Sequence, residues 1–160
     1  MSAHVWLADP RDAETVARLM VAFRDHLGYD WPSENAFLAG VERLLDDRDT
    51  DFLLGAPDAD SAPAAVCQLR YRWGLWRAGV DCLLEDLYVA EDARGSGLGR
   101  AMVAFAVERA KDRGARRMEL DTNEMNTAAR ALYESFGFVT ASSAEGYDGA
   151  NDLYYRLHFD

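Results

Sequence analysis

A glycine-rich turn in the middle of the chain has the residue types of a phosphate-binding loop. Residues 94–99 read Arg-Gly-Ser-Gly-Leu-Gly and stand between a strand-like apolar run, 83–89, and a helix-like run, 98–113. Glycines lack a Cβ atom, so backbone N–H groups can converge there, and the following helix points its positive dipole end at the same place. The turn lacks the Lys-Ser/Thr pair of a P-loop, and Arg100 stands where the dinucleotide fingerprint needs glycine. We therefore expect a phosphate-bearing ligand of another type.

Two consecutive carboxylates, Glu85 and Asp86, lie inside a predicted strand over residues 80–90. Neighbouring strand residues point to opposite faces, so we expect only one of the two to reach a given cleft. Each shares its face with apolar residues, so the alternation does not choose between them. A carboxylate beside an apolar wall can have its pKa raised toward the range of a general base, and it would attract an ammonium group. A purely structural pair is the alternative.

A tyrosine further along the chain shares a predicted helix face with an asparagine. Tyr133 follows Asn126 by seven residues, about two helical turns, so the two share a face of a predicted helix. A tyrosine on a cleft can protonate a leaving group. Tyr133 could also be a core aromatic, and Asn126 could be only a helix cap.

Acidic and aromatic residues cluster where the first predicted helix ends. Two carboxylates, Asp25 and Asp30, with two aromatic rings, Tyr29 and Trp31, suit an alkylammonium group by ion pairing and cation–π contact. The usual polarity of a helix end explains the cluster almost as well. We interpret His26 as a solvent-exposed residue near a helix C-terminus rather than a catalyst.

Taken together, these motifs resemble the GCN5-related N-acetyltransferase (GNAT) superfamily. Arg94-x-x-Gly97-x-Gly99 is similar to its pyrophosphate-binding loop, and the segment 85–89 is similar to the diamine and polyamine acetyltransferase branch. The likeness extends from about residue 80 to the C-terminus, while the first half matches only in its order of elements. The second cofactor motif of the family is matched by Asn126, Ala129, Tyr133, Gly137 and Phe138.

The resemblance implies direct transfer of an acetyl group from acetyl-CoA to a primary amine, and we expect that amine to be small and cationic. The resemblance implies that Tyr133 protonates the coenzyme A thiolate. It also implies that Glu85 is the general base and acts through a water. The implied acceptor-binding residues are Asp25, Tyr29, Asp30, Trp31, Glu85 and Asp86. The implied cofactor-binding residues are Leu87, Tyr88, Val89, Arg94, Gly95, Ser96, Gly97, Leu98, Gly99, Arg100, Asn126, Ala129 and Tyr133.

Two other functions stay open at this point. A non-catalytic acyl-CoA-binding sensor would bind the cofactor without turnover, although the presence of both Tyr133 and Glu85 argues against it. A protein or peptide N-acetyltransferase would need an open groove for its acceptor. Cys67 and Cys82 lie in apolar runs, and we expect buried free thiols and no metal site.

The elements that must position these residues follow from the periodicity of the sequence. It predicts an α/β fold with one domain, residues 1–160, in the order β-α-α-β-β-β-α-β-α-β-β, which is the order of the family. The resemblance adds a mixed, mostly antiparallel central sheet flanked by four helices. The predicted strands cover residues 4–8, 52–56, 64–73, 80–90, 117–122, 139–142 and 153–159, with a turn over residues 144–151.

Composition limits the classes of partner. The formal charge of −11 argues against general nucleic-acid binding and would favour a cationic substrate, although an acidic surface is also a common aid to solubility. No apolar run approaches the roughly 20 residues of a membrane helix, and we see no signal peptide. We expect a cytoplasmic protein without nucleic-acid or membrane partners. A homodimer is suggested only by the resemblance.

Overall fold

The computed structural model describes residues 2–145 and 150–159. Within them, seven strands form one sheet in the order β1-β2-β3-β4-β5-β7-β6. The strands are β1 (His4–Leu7), β2 (Thr50–Ala56), β3 (Ala65–Gly74), β4 (Gly79–Val89), β5 (Ala115–Asn123), β6 (Val139–Glu145) and β7 (Asn151–His158). The helices are α1 (Ala13–His26), α2 (Glu34–Leu45), α3 (Leu98–Asp112) and α4 (Thr127–Ser135). The predicted order of elements is confirmed, and the predicted turn over 144–151 lies partly outside the described residues.

The ends of the first two helices follow the capping signals of the sequence. The Asp9 side chain accepts the N–H of Arg11 and opens a 3₁₀ turn that leads into α1, and Gly28, with φ +81°, follows its end. The Ser33 hydroxyl accepts the N–H of Ala36 at 3.1 Å and caps α2. Among the described residues, no helix is both long and apolar enough to cross a membrane.

Helices cover both faces of the sheet, and successive side chains of β3 pack alternately against the helices of the two faces. Cys67 and Leu69 pack in the cluster that contains α3 and α4, whereas Val66 packs in the cluster of α1 and α2. Helix α3 lies so close to β2 that a Cβ atom on Gly55 would stand 2.6 Å from the sulfur of Met102. This close approach fixes α3, and with it the glycine turn at its start.

The two strands at the centre of the sheet diverge. β4 pairs with β3 in antiparallel fashion as far as Val89, but its parallel pairing with β5 ends at Leu83 opposite Glu119. Beyond that point the edge of β4 that faces β5 has no strand partner among the described residues. The divergence opens the sheet between these two strands.

Both cysteines are buried free thiols, and they belong to different cross-strand pairs of the sheet. Cys67 stands opposite Leu87 and Cys82 stands opposite Tyr71, so the two are not a facing pair. Burial raises the pKa of each thiol. Both cysteines therefore serve as small apolar core residues, as the sequence predicted.

Candidate functional site

A cleft of about 680 Å³ lies between the diverging ends of β4 and β5. The start of α3, one face of α4 and the C-terminal end of α1 complete its walls. Both motifs recognised in the sequence, the glycine turn and the Asn126 to Tyr133 helix, thus meet at one cavity, although about 30 residues separate them in the chain.

The free edge of β4 presents backbone groups to this cleft. Ala90 donates its N–H to the carbonyl of Ala64, the residue before β3, at 2.8 Å, and alternate residues of a strand bond toward opposite edges. The N–H groups of Leu87 and Val89 therefore point away from β3 and toward the cleft. Arg94 is tied to the same edge, because its Nε donates to the Val89 carbonyl at 3.0 Å. The edge can accept an extended amide-bearing chain as an added strand.

The glycine turn needs its glycines for backbone reasons. Gly95 and Gly97 have φ of +79° and +86°, a left-handed conformation that side chains with a Cβ rarely adopt. Gly97 is the N-cap of α3, and the N–H groups of residues 98–100 have no carbonyl partner within the helix. These free donors, the helix dipole and Arg94 make an anion site of the kind that a pyrophosphate fits.

Four of the predicted cofactor-binding residues do not line the cleft. Ser96 donates its hydroxyl to the carbonyl of Ala93, and Leu98 is buried in the core. Arg100 lies over the ring of Phe136, 5.4 Å from its centroid. Gly97 shapes the turn without facing the cavity. The predicted residues that do line it are Leu87, Tyr88, Val89, Arg94, Gly95, Gly99, Asn126, Ala129 and Tyr133.

Tyr133 is both a core aromatic and a cleft residue. It is only 6% exposed, and its ring meets Phe138 edge to face with 5.8 Å between centroids. Burial, with a smaller contribution from nearby Cys67, raises the pKa of its phenol, so the hydroxyl keeps its proton and can donate it. Asn126 stands at the N-cap of α4 without a side-chain capping bond, so its position in the cleft is not explained by capping.

The prediction that Glu85 and Asp86 point to opposite faces is wrong. In β4, the residues packed toward α3 are Cys82, Leu84, Leu87 and Val89, so the alternation skips a residue between 84 and 87. The pairing with β3 shows the cause, because Leu69 is opposite Leu84 and Gln68 is opposite Asp86, which leaves Glu85 in a β-bulge. As a result, both carboxylates line the cleft.

The two carboxylates differ in their electrostatic surroundings. Burial, and then the charge of Glu85, raises the pKa of Asp86 to about 6. Glu85 is more exposed, and its carboxylate lies 3.7 Å from the guanidinium of Arg70. A third acid, Asp121 on β5, also lines the cleft, and burial followed by the charges of nearby carboxylates raises its pKa. The cleft therefore holds two carboxyls that favour their neutral form more than usual.

The acidic and aromatic cluster at the end of α1 only partly reaches the site. His26 and Leu27 line the cleft, as does Phe23, whose ring stacks on Tyr88 at 5.3 Å. None of the four residues predicted to bind the acceptor there lines the cavity. Asp25 pairs with Arg24 at 2.8 Å, and Tyr29, Asp30 and Trp31 lie exposed on the loop that follows.

The sequence reading missed the contribution of β5. Asp121, Thr122 and Asn123 line the cleft from the strand opposite Glu85 and Asp86. The sequence does indicate which face of β5 carries Asp121. Met118 and Leu120 alternate with acidic residues, which places Asp121 on the face away from α3. Only the divergence of β4 and β5, which is a pairing between distant segments, shows that this face opens into a site.

Comparisons with known proteins agree with this geometry. The sequence model of the acetyltransferase (GNAT) family matches residues 15–138. A thialysine N-epsilon-acetyltransferase from Bos taurus is 31% identical over 97 residues, which are 59% of this chain and 56% of that protein. The match thus spans little more than half of the bovine protein.

Solved structures show the same fold. An acetyltransferase of the GNAT family from Streptococcus pneumoniae superposes with a TM-score of 0.76 and 21% identity, covering 99% of this chain and all of that one. A chain of the NatC complex, solved with a Gag peptide and coenzyme A, superposes with a TM-score of 0.78 and 17% identity over the full length of both chains. At these identities the likeness concerns the fold alone.

Proposed function

The chain belongs to the acetyltransferase (GNAT) family, and from that premise we propose that it transfers an acetyl group from acetyl-CoA to a small primary amine. The observation that supports the proposal most directly is the convergence of three groups on one cleft. These are the free edge of β4 beside the glycine turn, the protonated phenol of Tyr133, and the carboxyl of Asp86 with its raised pKa.

The cofactor of the family fits the donors that the cleft offers. When bound, acetyl-CoA supplies an acetyl group activated as a thioester. The N–H groups at the start of α3 and the Arg94 side chain would hold its pyrophosphate. The outward N–H groups of Leu87 and Val89 would donate hydrogen bonds to the carbonyls of its amide-bearing arm.

We assign the general base to Asp86 and keep Glu85 as the alternative that the resemblance favours. A base works best when its pKa lies near the working pH, and the Asp86 pKa of about 6 meets that condition. Asp86 also has no ion pair among the described residues, whereas Glu85 lies near Arg70. Glu85 and Asp121 would then attract and orient the ammonium form of the acceptor.

Tyr133 would act at the other end of the reaction. Its phenol is held in place by Phe138 and keeps its proton, so it can donate that proton to the departing thiolate sulfur. No cysteine lines the cleft among the described residues, so a covalent acyl-enzyme has no evident thiol nucleophile there. Direct transfer to the amine needs no such residue.

The carboxyls that line the cleft indicate which class of acceptor it would bind. Three carboxyls line the cleft, which favours a cationic amine, and the bovine relative is named for thialysine, itself an amine. A second candidate, a peptide acceptor, is favoured by a groove of about 400 Å³ that continues past Glu85 along β3 and β5.

A cytoplasmic location for the protein stays a prediction.

An acetyl-CoA turnover screen tests the proposal. The panel contains diamines and polyamines, amino acids, aminoglycosides and short peptides, and free thiol release is measured for wild type and for Asp86→Asn. We expect turnover with at least one amine, an acidic limb near pH 6 in kcat/KM, and loss of both in the variant. Coenzyme A binding without turnover on any acceptor would instead support the sensor.

A further inference from the structure

A second cavity, of about 420 Å³, lies at the end of the sheet opposite the cleft. It is formed where β5 begins and β7 ends, beside the turn that joins β3 to β4. Its size is in the range of sites for small organic ligands. We call it the arginine cavity, and it shares no lining residue with the cleft. The residues that line it are Arg77, Ala115, Arg116, Arg117, His158 and Phe159.

The charge of this lining is opposite to that of the cleft. Three arginines and a histidine present N–H donors, and none of the described residues that line the cavity is acidic. This holds although the whole chain has a formal charge of −11. A concave wall with charge of one sign attracts a ligand of the other sign. The arginine cavity therefore favours an anion, whereas the cleft with its three carboxyls favours a cation.

Ion pairs within the chain neutralise only part of this positive charge. The Asp81 carboxylate is shared by Arg77, at 3.1 Å, and Arg117, at 3.4 Å. The Glu119 carboxylate is shared by Arg117, at 3.1 Å, and Arg72, at 3.7 Å. Three guanidinium groups thus divide two carboxylates between them, which leaves one positive charge without a counterpart.

Arg116 contributes a second uncompensated charge. It forms no ion pair among residues 2–145 and 150–159. Its side chain lies against Gly79, where an added Cβ atom would stand 2.5 Å from Arg116 Nε and 2.8 Å from Cδ. Gly79 does not have a positive φ, so this close approach, rather than the backbone conformation, accounts for a glycine there. The start of β4 thus leaves room for the Arg116 guanidinium beside the cavity.

Arg117 is the buried member of the group, with 7% of its surface exposed. Its Nε and Nη1 have no hydrogen-bond acceptor among the described residues. A buried donor without an acceptor costs free energy, which an acceptor atom brought by a ligand would recover. The pairing of β5 with β7 sets Arg117 opposite His158, so both side chains lie on the same face of the sheet at the cavity.

We propose that the arginine cavity binds a small phosphate monoester. The two uncompensated positive charges match a phosphate monoester, which is close to a dianion at neutral pH. Guanidinium groups bind phosphate oxygens through paired, charge-assisted hydrogen bonds. Ala115 and Phe159 add an apolar wall that would contact the organic part of the ligand. Inorganic phosphate lacks that part, so it should bind less tightly.

A residue-resolved NMR titration of the wild-type chain tests the proposal. Glycerol 3-phosphate, inorganic phosphate and acetate are added separately at neutral pH, with sodium chloride adjusted to keep the ionic strength constant. We expect saturable shifts of the amide signals of residues 115–117, 158 and 159 with glycerol 3-phosphate, weaker binding of inorganic phosphate, and no saturation with acetate. Signals of residues 95–100 report separately on the glycine turn, so a phosphate bound there is measured apart.

Two variants assign the binding to the arginines. Arg116→Gln should raise the Kd for glycerol 3-phosphate about tenfold or more, because it removes one charge-assisted donor pair. Arg117→Lys keeps a cation for Asp81 and Glu119 but lacks the forked donors, and it should also weaken binding. Arg43→Gln is the matched control, since it removes the same charge from an exposed arginine on α2 that does not line the cavity. Circular dichroism and thermal melting confirm that each variant is folded.

Several results would overturn the proposal. They are the absence of saturable shifts at the cavity with glycerol 3-phosphate, an affinity of Arg116→Gln equal to that of Arg43→Gln, and acetate binding as tight as that of the monoester. Inorganic phosphate that binds as tightly as glycerol 3-phosphate would contradict the assignment of an organic ligand. The titration contains neither acetyl-CoA nor an acceptor, so its outcome is independent of the proposed enzymatic activity.

Discussion

The two halves of β4 run between the same neighbouring strands, but an aspartate in one half has cationic partners and an aspartate in the other half has none. Residues 80–83 pair with β3 and β5, and there the buried Asp81 lies 3.1 Å from Arg77 and 3.4 Å from Arg117. Residues 84–89 pair only with β3, and Asp86 has no ion pair among the described residues. A carboxyl with cationic partners supports the fold, whereas the partly buried Asp86 carboxyl, which has no such partner, has a raised pKa that chemistry can use. The parting of the two strands thus separates a structural half from a reactive half.

The largest expected effect concerns the reactive half. Tyr133→Phe removes only the hydroxyl, so we expect the fold and the acetyl-CoA affinity to stay while kcat falls roughly 10²–10⁴-fold, the usual range for one positioned proton donor. Single-turnover kinetics and a cofactor titration measure the two quantities.

Tyr71→Phe is the matched control, because Tyr71 is a buried tyrosine whose hydroxyl bonds Asp51 at 2.8 Å away from the cleft. It should lose stability rather than turnover. Equal kcat for Tyr133→Phe and wild type would mean that another group serves the thiolate.

The next effect concerns the structural half. Asp81→Ala leaves Arg117 buried with Glu119 as its remaining partner, and breaking a buried ion pair costs about 3–5 kcal/mol. We expect the lower end of that range, because Asp81 Oδ1 and two Arg117 nitrogens already lack hydrogen bonds among the described residues. Urea unfolding measures the loss in the free energy of unfolding.

Glu108→Ala serves as its control, since it breaks an exposed pair with Lys111 and should cost less than about 1 kcal/mol. If the two variants lose the same free energy of unfolding, the buried ion pairs of Asp81 stabilise the fold no more than an exposed pair does. If Asp81→Ala also loses kcat per folded molecule, the two halves are coupled rather than separate.

A smaller effect is expected from the charge of the acceptor. A distal ammonium held by the cleft carboxylates would orient the reactive amine, so a diamine should exceed a neutral monoamine of similar length about tenfold in kcat/KM. High salt should narrow the difference. Both amines are assayed at low and high ionic strength, and equal efficiencies at low salt would refute a cationic acceptor but not the acetyltransferase.

The smallest effect is a shift of the pH profile. Glu85→Gln removes one of the two causes that raise the pKa of Asp86, so the acidic limb of kcat/KM should move to lower pH. Burial remains as the larger cause, which limits the shift to less than about one pH unit. Loss of the limb in this variant, with the limb retained in Asp86→Asn, would make Glu85 the base.

Local signals in the sequence were sufficient for the elements and for both cofactor motifs. Ser33 and Gly28 mark real helix ends, and the glycine turn and Tyr133 meet at one cleft. These features depend on residues close in sequence. The bulge at Glu85 could not be predicted in this way, because it is defined only by the pairing of β4 with β3.

The same limit applies to the acceptor side of the site. Tyr29 and Trp31 have the right chemistry for an ammonium, but the path of the loop after α1 turns them away from the cleft. Asp121 has an ordinary position in its strand and reaches the cleft only because β4 and β5 diverge. Both outcomes depend on packing between segments distant in the chain, about which residue type and periodicity carry little information.

The outward N–H groups of Leu87 and Val89 give the cleft a spectroscopic signature. Their neighbours Tyr88 and Ala90 bond toward β3, so amide hydrogen exchange along this one strand should alternate between slow and fast residues. An arm laid against the edge would slow the two fast amides and leave the others unchanged. Residue-resolved exchange could thus follow the filling of the cleft one hydrogen bond at a time, without any acceptor present.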